Sequence, residues 1–309
     1  MPETHEWVEA KPVAFETYWQ GTLATLGSYA ACPEIDMIPL RSTDFATVYG
    51  VRLTSIGPYR VFGYLSIPVG EGPFPAIYYT PKYQSVLEII PQGTSTLQRS
   101  RYVAFSLAAR GQRNADSPFA AHFPGLLTAD IDNADTYIFR QIVADSVRGL
   151  DFLMSRPEVD PSRVVAFGND LALITAALHT GATHVVTTPT LFYNTIAVAA
   201  QTGAYPLEEI NDYLRAFPNR RSAVQQTLAY FDLRAFAPRL HASALIMAGA
   251  SGSSLDEQAL TALLQAVSGP VQVYESTHST YKDGLRAETW MAEQCGITDV
   301  SRILPEHWR

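Results

Sequence analysis

The chain has 309 residues, of which 47% are hydrophobic and 17% charged, a balance that excludes a disordered polypeptide and suits a soluble protein with a sizeable core. Thirty acidic against 22 basic groups give a formal charge of -8 with no Lys/Arg cluster, so no nucleic-acid partner is expected. No run approaches the roughly 18 apolar residues of a membrane helix, and the first 28 residues are interrupted by Glu3, Glu6, Glu9, Lys11 and Glu16. A cytoplasmic location without a membrane partner is the expectation.

Cys32 and Cys295 are too few for a disulfide framework and form no CxxC pair, so both are expected to be unpaired, buried thiols. His122, His179, His184 and His241 lack metal-ligand spacing, and neither a metal nor another cofactor is expected.

Residues 47 to 68 contain two alternating apolar runs around Ile56-Gly57-Pro58, which predicts antiparallel strands joined by a turn. Phe74 to Thr80 and Arg101 to Ala108 are short, nearly continuous apolar runs, as in strands buried on both faces of a parallel sheet. Residues 135 to 155 carry an apolar stripe at helical spacing and stop before Pro157. A strand at 163 to 168, a helix at 171 to 179 and a strand at 183 to 188 continue a βαβ alternation. Helical, mixed-polarity sequence then intervenes before strands at 244 to 248 and 271 to 274 and a closing helix at 282 to 293. The expected architecture is a single α/β domain over residues 1–309, a mostly parallel sheet with helices on both faces. An N-terminal extension reaches about residue 45, and a helical cap insertion spans about 189 to 230.

In an α/β-hydrolase a sharp strand-to-helix turn exposes the nucleophile, usually within G-x-S-x-G. The corresponding stretch here is Gly168-Asn169-Asp170-Leu171-Ala172, which places Asp170 at the serine position; G-x-S-x-G occurs nowhere else. Asp170 also suits a helix N-cap, because a carboxylate accepts backbone N–H bonds well.

The surrounding blocks resemble the acetyl xylan esterase and cephalosporin C deacetylase family from about Phe15 to about Leu285. They include Phe15-Glu-Thr-Tyr-Trp19, Phe62-Gly-Tyr-Leu, Arg110-Gly-Gln112, Asp145-Ser-Val-Arg148, residues 157 to 164 and Tyr230-Phe-Asp232, in the family's order. The resemblance implies an α/β-hydrolase fold, a Ser-Asp-His triad, deacetylation of small acetylated substrates and a homo-oligomer, commonly a hexamer. At the matched positions this chain departs from that pattern. Gly252 stands where the triad acid belongs, Pro81-Lys82-Tyr83 replaces the H-G-Y oxyanion loop, and His278 alone is kept from the triad, one residue nearer Tyr274 than usual.

The resemblance implies oxyanion donors at the Tyr83 and Leu171 amides. Asp256 and Glu257 are candidates to replace the lost acid, but Ser254-Leu-Asp-Glu257 is also a capping box, and that is the favoured reading. Arg110 is expected to fix loops. Three functions stay open: a divergent family member with a small-molecule pocket and absent or strongly reduced serine esterase activity; an Asp-nucleophile hydrolase or non-hydrolytic isomerase or cyclase using Asp170 and His278; and a non-catalytic binding or assembly protein.

Overall fold

A computed structural model describes residues 11–83, 96–112, 121–277 and 279–298. The chain opens with helix α1 (Phe15–Gly27), whose Phe15, Trp19 and Leu26 are buried. The Phe15 ring meets Phe236 edge-on at 5.0 Å, and Trp19 Nε1 donates to the Tyr230 carbonyl at 3.0 Å. The aromatic residues of the first sequence block therefore bind the N-terminal helix to the body of the protein. A short edge strand, β1 (Glu34–Met37), follows and pairs antiparallel with β2 (Ala46–Thr54).

Strands β2 and β3 (Arg60–Pro68) form the expected antiparallel pair, in unbroken register from Ala46↔Pro68 to Thr54↔Arg60. The apolar runs become β4 (Phe74–Tyr79) and, after helix α2 (Thr96–Arg101), β5 (Val103–Ala108), nearly every residue of which is buried. Helix α3 (Ile138–Met154) leads into β6 (Val159–Gly168), α4 (Asp170–Leu178) and β7 (His184–Thr187). Between β7 and β8 (Ser243–Ala248) lie helices α5 (Thr195–Ala199), α6 (Glu208–Ala216), α7 (Arg221–Ala229) and α8 (Leu233–Phe236). Helix α9 (Thr261–Ala266), strand β9 (Val271–Glu275) and helix α10 (Thr280–Gln294) complete the described chain.

Among the described residues the strands form one nine-stranded sheet, in the order β1-β2-β3-β5-β4-β6-β7-β8-β9. From β5 through β9 each neighbouring pair is parallel, whereas β1, β2 and β3 add an antiparallel edge. With helices packed around it, this is an α/β-hydrolase fold. Parallel strands need a crossover of a dozen or more residues, and α3, α4 and the long β7–β8 connection supply such crossovers.

Arg110 ties three segments together. Its Nε and Nη2 donate to the fully buried Asp145 of α3 at 2.8 Å each, and Nη2 also donates to the Ile56 carbonyl at 2.9 Å. A buried carboxylate without its cation would be costly, so this pair fixes the turn after β5 against α3 and the β2–β3 turn. One thiol expectation needs correction: Cys295 is buried but Cys32 is exposed, at a left-handed backbone position with φ 40°. The irregular connection between α1 and β1 places that side chain outside the core despite its apolar character. Among the described residues, no helix is long and apolar enough to cross a membrane.

Candidate functional site

In open parallel sheets, ligands bind beyond the carboxyl ends of the strands, where the connecting loops can vary without disturbing the core. A groove of about 390 Å³ lies there. It is lined by Lys82 and Tyr83 after β4, Asn169 after β6, Thr190 after β7, Tyr205 from the long β7–β8 connection and Ser254 after β8, with apolar neighbours. A larger depression of about 700 Å³ runs along α7 and the 132–134 turn and shares no lining residue with the groove. The first is the candidate site because four strand ends converge on it.

The strand-to-helix corner falls one residue earlier than the sequence pattern predicts. Strand β6 runs to Gly168, the helical residues begin at Asp170, and Asn169 turns the corner at φ -98°, ψ -143°. Asn169 therefore faces the groove, its amide 3.5 Å from the Thr190 hydroxyl. The expected G-x-S-x-G register counts Gly168 as the first glycine, but that glycine is the last residue of the strand, one residue short of the corner.

Asp170 lies instead inside the first turn of α4 and is 1% exposed. Its carboxylate accepts the amides of Thr190, Leu191 and Phe192 at 3.0–3.2 Å, together with the Thr190 hydroxyl. Three successive N–H groups form an anion-binding nest, and the helix N-terminus adds a favourable field. Asp170 is thus neither turned to the groove nor a cap of its own helix; it binds the loop after β7 to α4. Leu171, the next residue, is 6% exposed within the helix.

Tyr83 lines the groove and is held from behind. Its hydroxyl donates to Glu209 of α6, while the Leu127 amide donates to both Glu209 Oε2 at 3.0 Å and the Tyr83 oxygen at 3.1 Å. Burial and the adjacent Glu209 raise the Tyr83 phenol far above its usual range, and burial raises the Glu209 carboxyl above its ordinary value despite these donors. The backbone approaches closely here: a Cβ on Gly125 would come within 2.2 Å of the Glu209 carboxylate.

In the turn after β8, which carries Ser254 of the groove lining, Gly252 adopts φ 81°, a left-handed conformation that a glycine adopts without steric cost. Asp256 closes that turn by accepting the Gly252 and Ala259 amides at 2.8 Å each. Those N–H bonds hold its carboxyl below the usual range. The helix expected to start at Ser254 begins only at Thr261, so residues 253 to 260 form turns and not a capped helix. His278 lies outside the described residues. The chain leading to it is fixed by Asp283 of α10, which accepts the Ser276 hydroxyl at 2.6 Å and the Thr277 amide at 3.0 Å.

Sequence reasoning missed two residues of this arrangement. Asn169 was visible only as the variable residue of the motif, although the expected strand end at Gly168 already left it at the corner; the helix, expected from residue 171, begins at Asp170. Glu209 sits in the helical, mixed-polarity stretch before β8, from which no site residue was singled out. Its neighbours gave the clue: Glu209, Ile210, Tyr213 and Leu214, spaced i, i+1, i+4 and i+5, form the buried face of α6.

Residues 3–258 match the acetyl xylan esterase (AXE1) family. The chain belongs to the acetyl xylan esterase family. Among curated proteins it is similar to the acetyl esterase Axe7A of Xylanibacter ruminicola, with 22% identity over 252 residues. That match covers 77% of this chain and spans 56% of the relative's length. Two solved structures show the same fold. The acetyl xylan esterase of Paenibacillus sp. R4 superposes with a TM-score of 0.80 at 19% identity, covering 92% of this chain and 96% of that one. Acetyl xylan esterase 1 of Thermoanaerobacterium sp. JW/SL YS485 gives 0.80 at 22% identity, covering 94% and 96%.

Proposed function

We propose that this acetyl xylan esterase family member keeps a small-molecule groove at the strand ends but lacks effective serine esterase chemistry. Asn169 takes the corner position from which a family nucleophile would act. A serine esterase needs a hydroxyl there, deprotonated by a histidine that a carboxylate orients. An amide has no comparable nucleophilic oxygen. The observation that carries the reading is the Asp170 carboxylate: at 1% exposure and bonded to Thr190, Leu191 and Phe192, it is committed to the fold. Attack on a ligand would first require those bonds to break, which weighs against an Asp nucleophile and against a proton relay through Asp170 to His278.

Loss of a triad nucleophile removes about six orders of magnitude from turnover in a well-studied serine protease, so residual ester hydrolysis here should be near background. The test is p-nitrophenyl acetate hydrolysis by the purified chain, with and without a serine-directed phosphonate. The reading expects slow, phosphonate-insensitive release. Fast turnover abolished by the phosphonate, with the adduct mapped to a serine, would overturn it. Saturation-transfer NMR with phenyl acetate tests the groove separately, and absence of transfer would remove the small-molecule part of the reading.

A further inference from the structure

Glu209 is a buried carboxylate outside the ordinary triad chemistry, and its surroundings are unusual for a helix residue. It is 3% exposed on α6, yet both of its oxygens are occupied by groups from other parts of the chain. One is the phenol of Tyr83, beyond β4, and the other is the amide of Leu127, in the turn before α3. Tyr83 accepts that same amide at 3.1 Å, closing a three-membered cluster, and its ring stacks on Phe139 with centroids 6.2 Å apart. Tyr137 borders the cluster and donates its hydroxyl to the Leu127 carbonyl at 2.9 Å.

We propose that Glu209 is the positioning residue of the groove: its carboxylate fixes Tyr83 and Leu127 so that the insertion and the loop after β4 present one wall to a bound small molecule. The proposal rests on the groove being the ligand site. Without Glu209 the Tyr83 oxygen would still accept the Leu127 amide, but the Tyr83 hydroxyl would lose the acceptor for its own proton and with it this tie to α6. Gly125 supports the assignment, since its missing side chain leaves the space that the carboxylate fills.

The arrangement carries a pH signature. The groups acting on Glu209 are Tyr83, the Leu127 amide and Asp212 on its own helix, with no cation among them. Tyr137 and Tyr205 face it from the neighbouring segments. Protonation would turn one accepting oxygen into a donor, and the Tyr83 hydroxyl would have to reverse its own bond or move.

The test uses the full chain with 3-fluorotyrosine placed at position 83 and its ¹⁹F resonance followed from pH 4 to 8. A titration with a midpoint above the ordinary glutamate value of about 4.3 is expected, and it should vanish in Glu209→Gln. Tyr83→Phe keeps the ring on Phe139 but removes the hydroxyl, and both it and Glu209→Gln should weaken phenyl acetate binding by about tenfold, the loss of one hydrogen bond. A flat ¹⁹F profile, or the same titration in Glu209→Gln, would overturn the proposal. If Glu209→Gln fails to fold, the wild-type ¹⁹F profile and Tyr83→Phe still decide it. Absence of phenyl acetate binding to the wild-type chain, with the ¹⁹F titration intact, would count against the ligand reading of the groove and leave the Glu209–Tyr83 coupling standing.

Discussion

The Asp170 carboxylate accepts both the backbone amide and the side-chain hydroxyl of Thr190. One residue of α4 thereby fixes the loop that leaves the neighbouring strand, and the carboxylate neutralises a concave run of N–H groups that would otherwise be buried without partners.

Removing this carboxylate should cost more than an ordinary substitution. Asp170→Ala leaves the Leu191 and Phe192 amides facing an apolar methyl group, and the expected loss is about 2 to 5 kcal/mol, from buried donors left without partners at about 1 to 3 kcal/mol each. Urea unfolding at neutral pH measures it. Acetate or formate should restore part of the stability of Asp170→Ala by occupying the vacated nest and leave the wild-type chain unchanged. A loss below about 0.5 kcal/mol, the range of surface substitutions, would show that the loop is held by other contacts.

Moving the nucleophile position by one residue gives a sharp discrimination. In Asn169→Ser the new hydroxyl stands at the corner and faces the groove, so a serine-directed phosphonate should label it slowly. In Asp170→Ser the hydroxyl enters the buried nest, and the expected result is a destabilised, unlabelled protein. Mass spectrometry of the two variants after phosphonate treatment reads the register directly. Labelling of Asp170→Ser alone would restore the register inferred from the sequence motif.

The contrast between these two positions shows what the sequence could convey. The strand runs, the long amphipathic helix α3 and the family blocks were legible because burial on both sheet faces and helical spacing leave periodic signals. Helix α1 was not expected, since Phe15 and Trp19 were read only as part of a family block, and β1 is a four-residue edge strand too short for a periodic pattern. The candidate site was less legible. Its register depends on whether α4 begins at Asp170 or, as expected, at Leu171, and Glu209 depends on partners 82 and 126 residues away in sequence. Neither signal is local.

Restoring a carboxylate at the position matched to the triad acid should be unfavourable. Gly252→Asp introduces a side chain at φ 81°, where L-residues pay about 1 to 2 kcal/mol, although a Cβ there would meet no atom within 4 Å. The expected outcome is a modest drop in the urea midpoint with no gain in p-nitrophenyl acetate turnover. Combined with Asn169→Ser, it should raise turnover above the Asn169→Ser single variant if His278 reaches the corner. Equal activity in the single and double variants would show that another acid already serves that position.

The two carboxylates that brace the groove should respond to pH in opposite directions. Asp256 has a carboxyl lowered by the Ala259 and Gly252 amides, so its contribution is complete above the unfolded-state value of about 3.9 and is lost as pH falls through the lower folded value. Glu209 is raised by burial, so its contribution is complete below the unfolded value of about 4.3 and is lost as pH rises through the higher folded value. Asp256→Asn should therefore differ from wild type in thermal midpoint at neutral pH and converge with it in acid. Glu209→Gln should lose least, relative to wild type, at neutral pH, where the wild-type chain carries the cost of ionising the buried carboxylate, and lose more as pH falls below about 4. Differential scanning fluorimetry from pH 3 to 8 on the three proteins separates the two trends, and parallel curves for wild type and Glu209→Gln would show that this carboxyl does not change its proton affinity on folding.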